Sequence, residues 1–267
     1  MRFIPSFLRR SRGVPAGQRL YAIGDIHGRM DLLESILAQI GEDDQQRGPA
    51  NTRIIILGDF IDRGPSSAEV IDVLEQAQRS GKPLTVLLGN HEAALLECLE
   101  GDGELCSRWL RFGGDATCRS LGVEIPTAAE ISSDFAKKMR ARLSAGTVEW
   151  LRSLPLSFRS GGYFFCHAGI RPGVPLSWQE QDDLLWGVEN FLSSKRDHGA
   201  TVVHGHSICG NEVEMLKNRI CVDTGAYLSG ILSAVGLEGE DVWTLAAVDD
   251  GSTRVPSAEN KPLYSAT

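Results

Sequence analysis

The sequence predicts an α/β protein built on an open sheet buried on both faces, and three observations carry that prediction. Short runs recur that are apolar throughout rather than alternating, as strands covered on both sides require. Each early run is followed by a stretch with apolar residues at helical spacing. At 267 residues the chain lies at the upper end of one α/β domain, long enough for a core that needs no disulfides.

Leu20-Tyr21-Ala22-Ile23 is the first strand-like run, broken by Gly24; Met30 to Ile40 then places Leu32, Leu33, Ile36, Leu37 and Ile40 at helical spacing. Ile54-Ile55-Ile56-Leu57 ends at Gly58, and Ser66 to Gln78 follows as a helix with Ser66 or Ser67 as N-cap. Leu84 to Leu88 ends at Gly89 and leads into a helix over Glu92 to Leu99. Residues 101–155 are more charged, contain Gly113-Gly114, and regain helical periodicity around Phe135 to Leu143 and Val148 to Leu154, which predicts a helical insertion or cap. Strands return at Tyr163-Phe164-Phe165-Cys166, Ala200 to Val203, Arg219 to Val222, Ile231 to Leu237 and Val242 to Val248, with antiparallel pairing expected near the end. One domain over 19–249 is expected, between a flexible N-terminal tail, 1–18, and a loose C-terminal tail, 250–267.

With 27 basic and 35 acidic residues the formal charge is -8, the wrong sign for bulk binding to a nucleic-acid backbone. The six cysteines form no C-x-x-C pair, and Cys166 and Cys221 fall in strand-like runs where a free thiol behaves as a small apolar residue, which suits a reducing cytoplasm. The first residues carry Arg2, Arg9, Arg10 and Arg12 but lack the apolar core of a secretory signal. No run approaches the ~20 apolar residues of a spanning helix. The expectation is a cytoplasmic protein without a transmembrane segment; the oligomeric state is left open.

The chemistry sits where apolar runs end. Gly24-Asp25-Ile26-His27-Gly28 sets a carboxylate and an imidazole two residues apart, able to point the same way if the chain stays extended. Gly58-Asp59-Phe60-Ile61-Asp62-Arg63-Gly64 supplies a carboxylate, Asp59, whose two oxygens can bridge two cations. Gly89-Asn90-His91-Glu92 adds an amide oxygen, and His167 and His206 add imidazoles. Asp25, His27, Asp59, Asn90, His167 and His206 suffice for two ions if Asp59 is shared, and the mixed oxygen and nitrogen set suits Mn, Fe or Zn better than Ca or Mg. Two ions ~3.5–4 Å apart lower the pKa of a bridging water and hold two oxygens of a phosphate ester, so phosphoester hydrolysis is the expected reaction.

His91 adjoins Asn90 too closely to share its ion and is free to handle protons. An acidic partner is needed to keep it charged beside cations, and Asp62, outside the ligand count, is the candidate. His91 is therefore expected as general acid and Asp62 as its partner, with the planar fork of Arg63 on the phosphate. Any one of these motifs alone is an ordinary turn. His198 reads as a solvated loop residue, and Met215 and Trp186 as packing. Conjunction at several strand ends is what points to a site.

In order, these blocks, with His167-Ala168-Gly169 and His204-Gly205-His206, resemble the phosphoprotein phosphatase branch of the calcineurin-like metallophosphoesterases, over about Leu20 to Val248. The resemblance implies a β-sandwich flanked by helices, with Asp25, His27 and Asp59 on one metal and Asp59, Asn90, His167 and His206 on the other. It further implies His91 as catalytic histidine, Asp62 as its acidic partner, Arg63 and Asn90 at the phosphate, and Mn as the usual activator. Two places depart from the pattern. Leu185-Trp186-Gly187-Val188 stands where relatives have Leu-Trp-Ile-Arg, so a second phosphate-binding arginine is missing unless Lys195, Arg196 or Arg171 replaces it; Ser207-Ile208 stands where Thr-Pro is frequent. The leading expectation is a phosphatase of phosphoserine or phosphothreonine in proteins. A nucleotide phosphohydrolase of the diadenosine tetraphosphatase or RNA-cap-removing type is the alternative, which His27 disfavours because dinucleotide-cleaving relatives commonly have Gln there. A weakly active phosphate-binding protein is the third reading.

Overall fold

The computed structural model of the chain describes residues 13–127, 131 and 133–249. The strands are β1 (Gln18–Ile23), β2 (Asn51–Ile56), β3 (Leu84–Val86), β4 (Ser157–Ser160), β5 (Tyr163–Cys166), β6 (Thr201–His204), β7 (Glu214–Met215), β8 (Arg219–Cys221), β9 (Ile231–Glu238) and β10 (Asp241–Val248). They form two five-stranded sheets, ordered β10-β9-β1-β2-β3 and β4-β5-β6-β8-β7. In the first, β1, β2 and β3 run parallel and β9 and β10 pair antiparallel beside them. In the second, β5, β6 and β8 are parallel between antiparallel β4 and β7.

The single open sheet expected from the apolar runs is thus corrected to two packed sheets, the arrangement the family resemblance implies. Alternation explains why periodicity alone misses this. Leu20, Ala22, Ile55 and Leu57 of the first sheet meet Phe165, Val203, Ile220 and Val222 of the second in one core cluster. Their neighbours Tyr21, Ile23, Ile54 and Ile56 point the other way, into the helices. A strand covered by helices on one face and a second sheet on the other is as apolar as one covered by helices twice. The far face of the second sheet buries Phe164, Cys166 and Val202 with Leu184 and Phe191.

The helices against the first sheet begin with α1 (Met30–Arg47), longer than the periodic stretch predicts, and α2 (Ser67–Arg79). Helix α1 buries the predicted Leu32, Leu33, Ile36, Leu37 and Ile40, worth about 1.5–3 kcal/mol each by area. Next come α3 (Asn90–Leu99), α4 (Gly103–Trp109), a wide turn at Leu110–Gly114, α5 (Asp115–Ser120), α6 (Ser133–Leu143) and α7 (Ala145–Ser153). Two short helices follow, α8 (Gln181–Trp186) and α9 (Ala226–Ser229).

Cys98 at the end of α3 and Cys106 in α4 are joined by a disulfide, where the sequence reading expects reduced thiols. The turn between the two helices brings them together, a juxtaposition that a spacing of eight residues does not announce. The tail expected over 1–18 falls largely outside the described residues. Its last part is packed: Val14 is buried in the inter-sheet core and its N–H donates to Gly239, and β1 starts at Gln18. The C-terminal tail expected over 250–267 lies outside the described residues. Among the described residues no helix is long and apolar enough to cross a membrane.

Candidate metal centre

Parallel strands leave their C-terminal ends on one side, and every predicted site residue sits there. Asp25 and His27 follow β1, Asp59 and Asp62 follow β2, and Asn90 and His91 open α3 after β3; His167 follows β5 and His206 follows β6. Six described non-glycine residues have positive φ, and five are site residues: His27, Asp59, Asp62, Arg63 and His206. Such backbone costs on the order of 1–3 kcal/mol each and persists where the surroundings over-determine it. The condition set for Asp25-Ile26-His27, a chain that stays extended, is not met at His27, which turns into the left-handed region at φ 47°.

Two donor groups form around Asp59. His27, Asp59 and His91 make one, and Asp59, His167 and His206 the other, each with ligand atoms within 4.8 Å of one another. Asn90 Oδ1 joins the second, 2.8 Å from His167 Nε2 and 2.9 Å from His206 Nδ1. The far nitrogens are fixed by backbone: His27 Nδ1–H donates to Ile61 and His167 Nδ1–H to Leu57, both at 2.9 Å, which aims each Nε2 inward. Asp25 falls outside the first group; its carboxylate accepts the His206 N–H at 3.1 Å. A Cβ on Gly205 would lie 2.0 Å from Asp25 Oδ1, so only glycine lets the His206 turn approach.

The electrostatics fit cations. Burial pushes Asp25 well up, and the neighbouring Asp223 pushes it further, a cost that a cation relieves. Burial lowers His27 to about 3 and His206 to about 4, so both imidazoles are neutral and able to ligate. Burial opposes the charged form of His167, yet the Asp59 carboxylate raises it to about 10, a proton that a cation between them replaces. Donors of mixed oxygen and nitrogen arranged about a shared carboxylate suit two divalent transition-metal ions.

His91 Nδ1–H donates to Asp62 Oδ2 at 2.6 Å. Asp62 is fully buried, and two more donors hold it: Trp109 Nε1 to Oδ2 at 2.8 Å and the Thr117 hydroxyl to Oδ1 at 2.6 Å. Burial raises Asp62, against these three hydrogen bonds. Burial also opposes charge on His91, but Asp59 and the bond to Asp62 outweigh it, and its pKa ends above the ordinary value. Arg63 Nη2 donates to His91 Nε2 at 3.1 Å while its guanidinium lies 4.4 Å over the Tyr227 ring. Tyr227 also packs edge-on against His27.

Sequence reading missed Trp109, Thr117 and Tyr227, and gave Glu92 no role. Glu92 is buried, and its carboxylate accepts the N–H groups of Asp59, Gly89, Phe60 and Ile61 at 2.9–3.1 Å, tying the Asp59 loop to the start of α3. Gly113-Gly114 was the trace of Trp109: a Cβ on Gly114 would lie 2.4 Å from the indole, and Gly113 accepts the Arg63 N–H. Of the proposed substitutes for the absent arginine, Arg171 is held by both oxygens of Asp183 at 2.7 and 2.6 Å, Arg196 lies against Gly173, and Lys195 is exposed. Val188 packs against the far-face core of the second sheet.

Residues 18–228 match the family model of the calcineurin-like phosphoesterases, and the chain belongs to that family: it is a metallophosphoesterase, a phosphoester hydrolase. Its relatives divide by substrate. Serine/threonine-protein phosphatase 2 of Escherichia coli is 30% identical over 225 residues, 81% of this chain and 91% of its own length. The symmetrical bis(5'-nucleosyl)-tetraphosphatase of Dechloromonas aromatica is 30% identical over 152 residues, 57% of this chain and 44% of its own. The fold is also that of a putative diadenosine tetraphosphatase, at TM-score 0.58 and 22% identity over 88% of this chain and 96% of that one. A cold-active protein-tyrosine phosphatase of Shewanella matches at TM-score 0.58 and 16% identity, over 88% of this chain and 83% of that one.

Proposed function

We propose that the chain is a dinuclear-metal-dependent phosphatase of phosphoserine or phosphothreonine in proteins, with Mn as activator. The observation that supports this reading is the sharing of Asp59 between two donor groups, one of which includes His91, itself held by Asp62. Asp25, His27 and Asp59 would hold one ion and Asp59, Asn90, His167 and His206 the other. When bound, the ions supply charge to the phosphate oxygens and acidity to a water nucleophile. Arg63 supplies a guanidinium fork to the phosphate. Because it has only donors, its contact with His91 requires Nε2 to be an acceptor; drawn onto a phosphate, it frees Nε2 to carry the proton for the leaving alkoxide. Asp62 keeps that imidazole oriented and charged.

The protein-phosphatase relative aligns along nearly its whole length, the tetraphosphatase relative along less than half of its own, and this supports the protein substrate. The deciding experiment adds Mn to metal-stripped protein and offers a phosphothreonine peptide and diadenosine tetraphosphate in parallel, each against His91→Asn. Phosphate release from the peptide, lost in the variant, is the expected result. Cleavage of the dinucleotide alone would move the substrate to nucleotides.

A further inference from the structure

Behind the turn that carries His206, two cysteines meet. Cys209 is exposed and closes the turn His206-Ser207-Ile208-Cys209; Cys221 is buried at the end of β8, in register with His204 of β6. The Cys221 side chain lies against that turn, two residues before Cys209, and Cys221 and Arg219 are the neighbours that act on the Cys209 thiol. The Cys221 thiol contacts the Ser207 carbonyl at 3.0 Å. Arg219 is itself held by Glu214 at 2.5 Å. An accessible sulfur backed by a second, buried sulfur and a guanidinium is an arrangement for thiol oxidation, and phosphoester hydrolysis has no use for it.

We propose that Cys209 and Cys221 form a peroxide-sensitive dithiol, in which Cys209 is oxidised and Cys221 converts it to a disulfide that displaces the His206 turn. The Cys209 thiolate attacks one peroxide oxygen, the O–O bond breaks, and Cys209 becomes a sulfenic acid as hydroxide leaves. The Cys221 sulfur then attacks the Cys209 sulfur, and the departing hydroxide takes the Cys221 proton as water. Two thiols lose two electrons and two protons, and hydrogen peroxide becomes two waters.

Acidities divide the roles the same way. The Cys221 side chain draws Cys209 down to about 7, aided by Arg219 and opposed by burial and Glu214. The same pairing, with burial, pushes Cys221 up, so the thiolate resides on the exposed sulfur. The other cysteines do not compete. Cys98 and Cys106 are bonded to one another, and burial raises Cys118 and Cys166 to about 12.

A disulfide draws the sulfurs to about 2.05 Å, closer than two unbonded thiols. Cys221 is fixed in the sheet, so the exposed turn must move. His206 lies three residues away at φ 63° with its N–H on Asp25, and a shift there spoils its alignment with Asn90 and His167.

The test treats Mn-loaded, full-length protein with hydrogen peroxide, removes the excess, and measures aryl phosphate hydrolysis, metal content and the disulfide map of unreduced peptides. The expected results are a peptide pair bridged through Cys209 and Cys221 and an activity loss of about tenfold or more, reversed by dithiothreitol. Cys209→Ser should form no bridge and keep its activity; Cys221→Ser should stop at a sulfenic acid trapped by dimedone. No bridged peptide from the wild type, or inactivation of Cys209→Ser at the wild-type rate, would overturn the proposal. So would a bridge that leaves activity and metal content unchanged.

Discussion

The indole of Trp109 donates to the carboxylate of Asp62 across 2.8 Å, on the same oxygen that receives His91. Residues between α3 and β4, read from sequence as a cap, thereby reach beneath the site and fix the acid that orients its histidine. Hydrogen bonds to charged groups are worth about 1.5–3 kcal/mol, so Trp109→Phe should lower kcat about ten- to a hundredfold. Metal content should stay at the wild-type level, because the indole hydrogen bond goes to Asp62, which lies outside the two donor groups. Elemental analysis beside steady-state kinetics checks both; loss of metal with loss of rate would show a general collapse instead.

The pH profile should report the same contact. Asp62 helps hold His91 above its ordinary pKa, and a general acid works while protonated, so activity falls as pH rises through that pKa. In Asp62→Asn the imidazole loses a negative partner and its pKa drops. The alkaline limb of the kcat profile should therefore move to lower pH. A limb that stays in place would detach it from His91.

How much of this was legible in the sequence depends on what each residue touches. Asp25, His27, Asp59, Asn90, His91, His167 and His206 announce themselves because glycine-flanked polar groups end apolar strands, and parallel strands bring those ends together. Trp109 and Thr117 do not, since a tryptophan at helical spacing reads as core and only the fold sets its nitrogen against Asp62. The second sheet was hidden for a related reason: Ile55 and Ile56 are equally apolar, though one faces a sheet and the other faces helices. Val188 shows the reverse case, where the sequence reveals an absent charge and the structure shows the position packed against apolar neighbours.

Asp59→Asn should cripple both metal positions, because Asp59 alone belongs to both donor groups. Glu92→Gln gives the sharper contrast. It keeps the size of a side chain that accepts four N–H groups but replaces one acceptor oxygen by a donor facing them. It should lose about 1–3 kcal/mol of stability and weaken metal binding by moving the Asp59 loop. Thermal unfolding with and without Mn measures the two effects. An unchanged midpoint in metal-free protein would show that the four contacts do not hold the loop.

Tyr227 offers a face to Arg63 and an edge to His27, so its substitution separates positioning from packing. A guanidinium over a half-buried aromatic ring such as Tyr227 gains at least about 0.5–1 kcal/mol. Tyr227→Leu should raise KM for a phosphomonoester by roughly two- to fivefold, as Arg63 loses the surface that holds it. Tyr227→Phe keeps the face and should restore KM, which a role for the hydroxyl would forbid. Arg63→Ala should lower kcat/KM further, and adding Tyr227→Leu to it should then cost nothing more, because the tyrosine acts through the arginine. If the two losses add, Tyr227 contacts the substrate by itself or supports His27, and metal content of the double variant tells these apart.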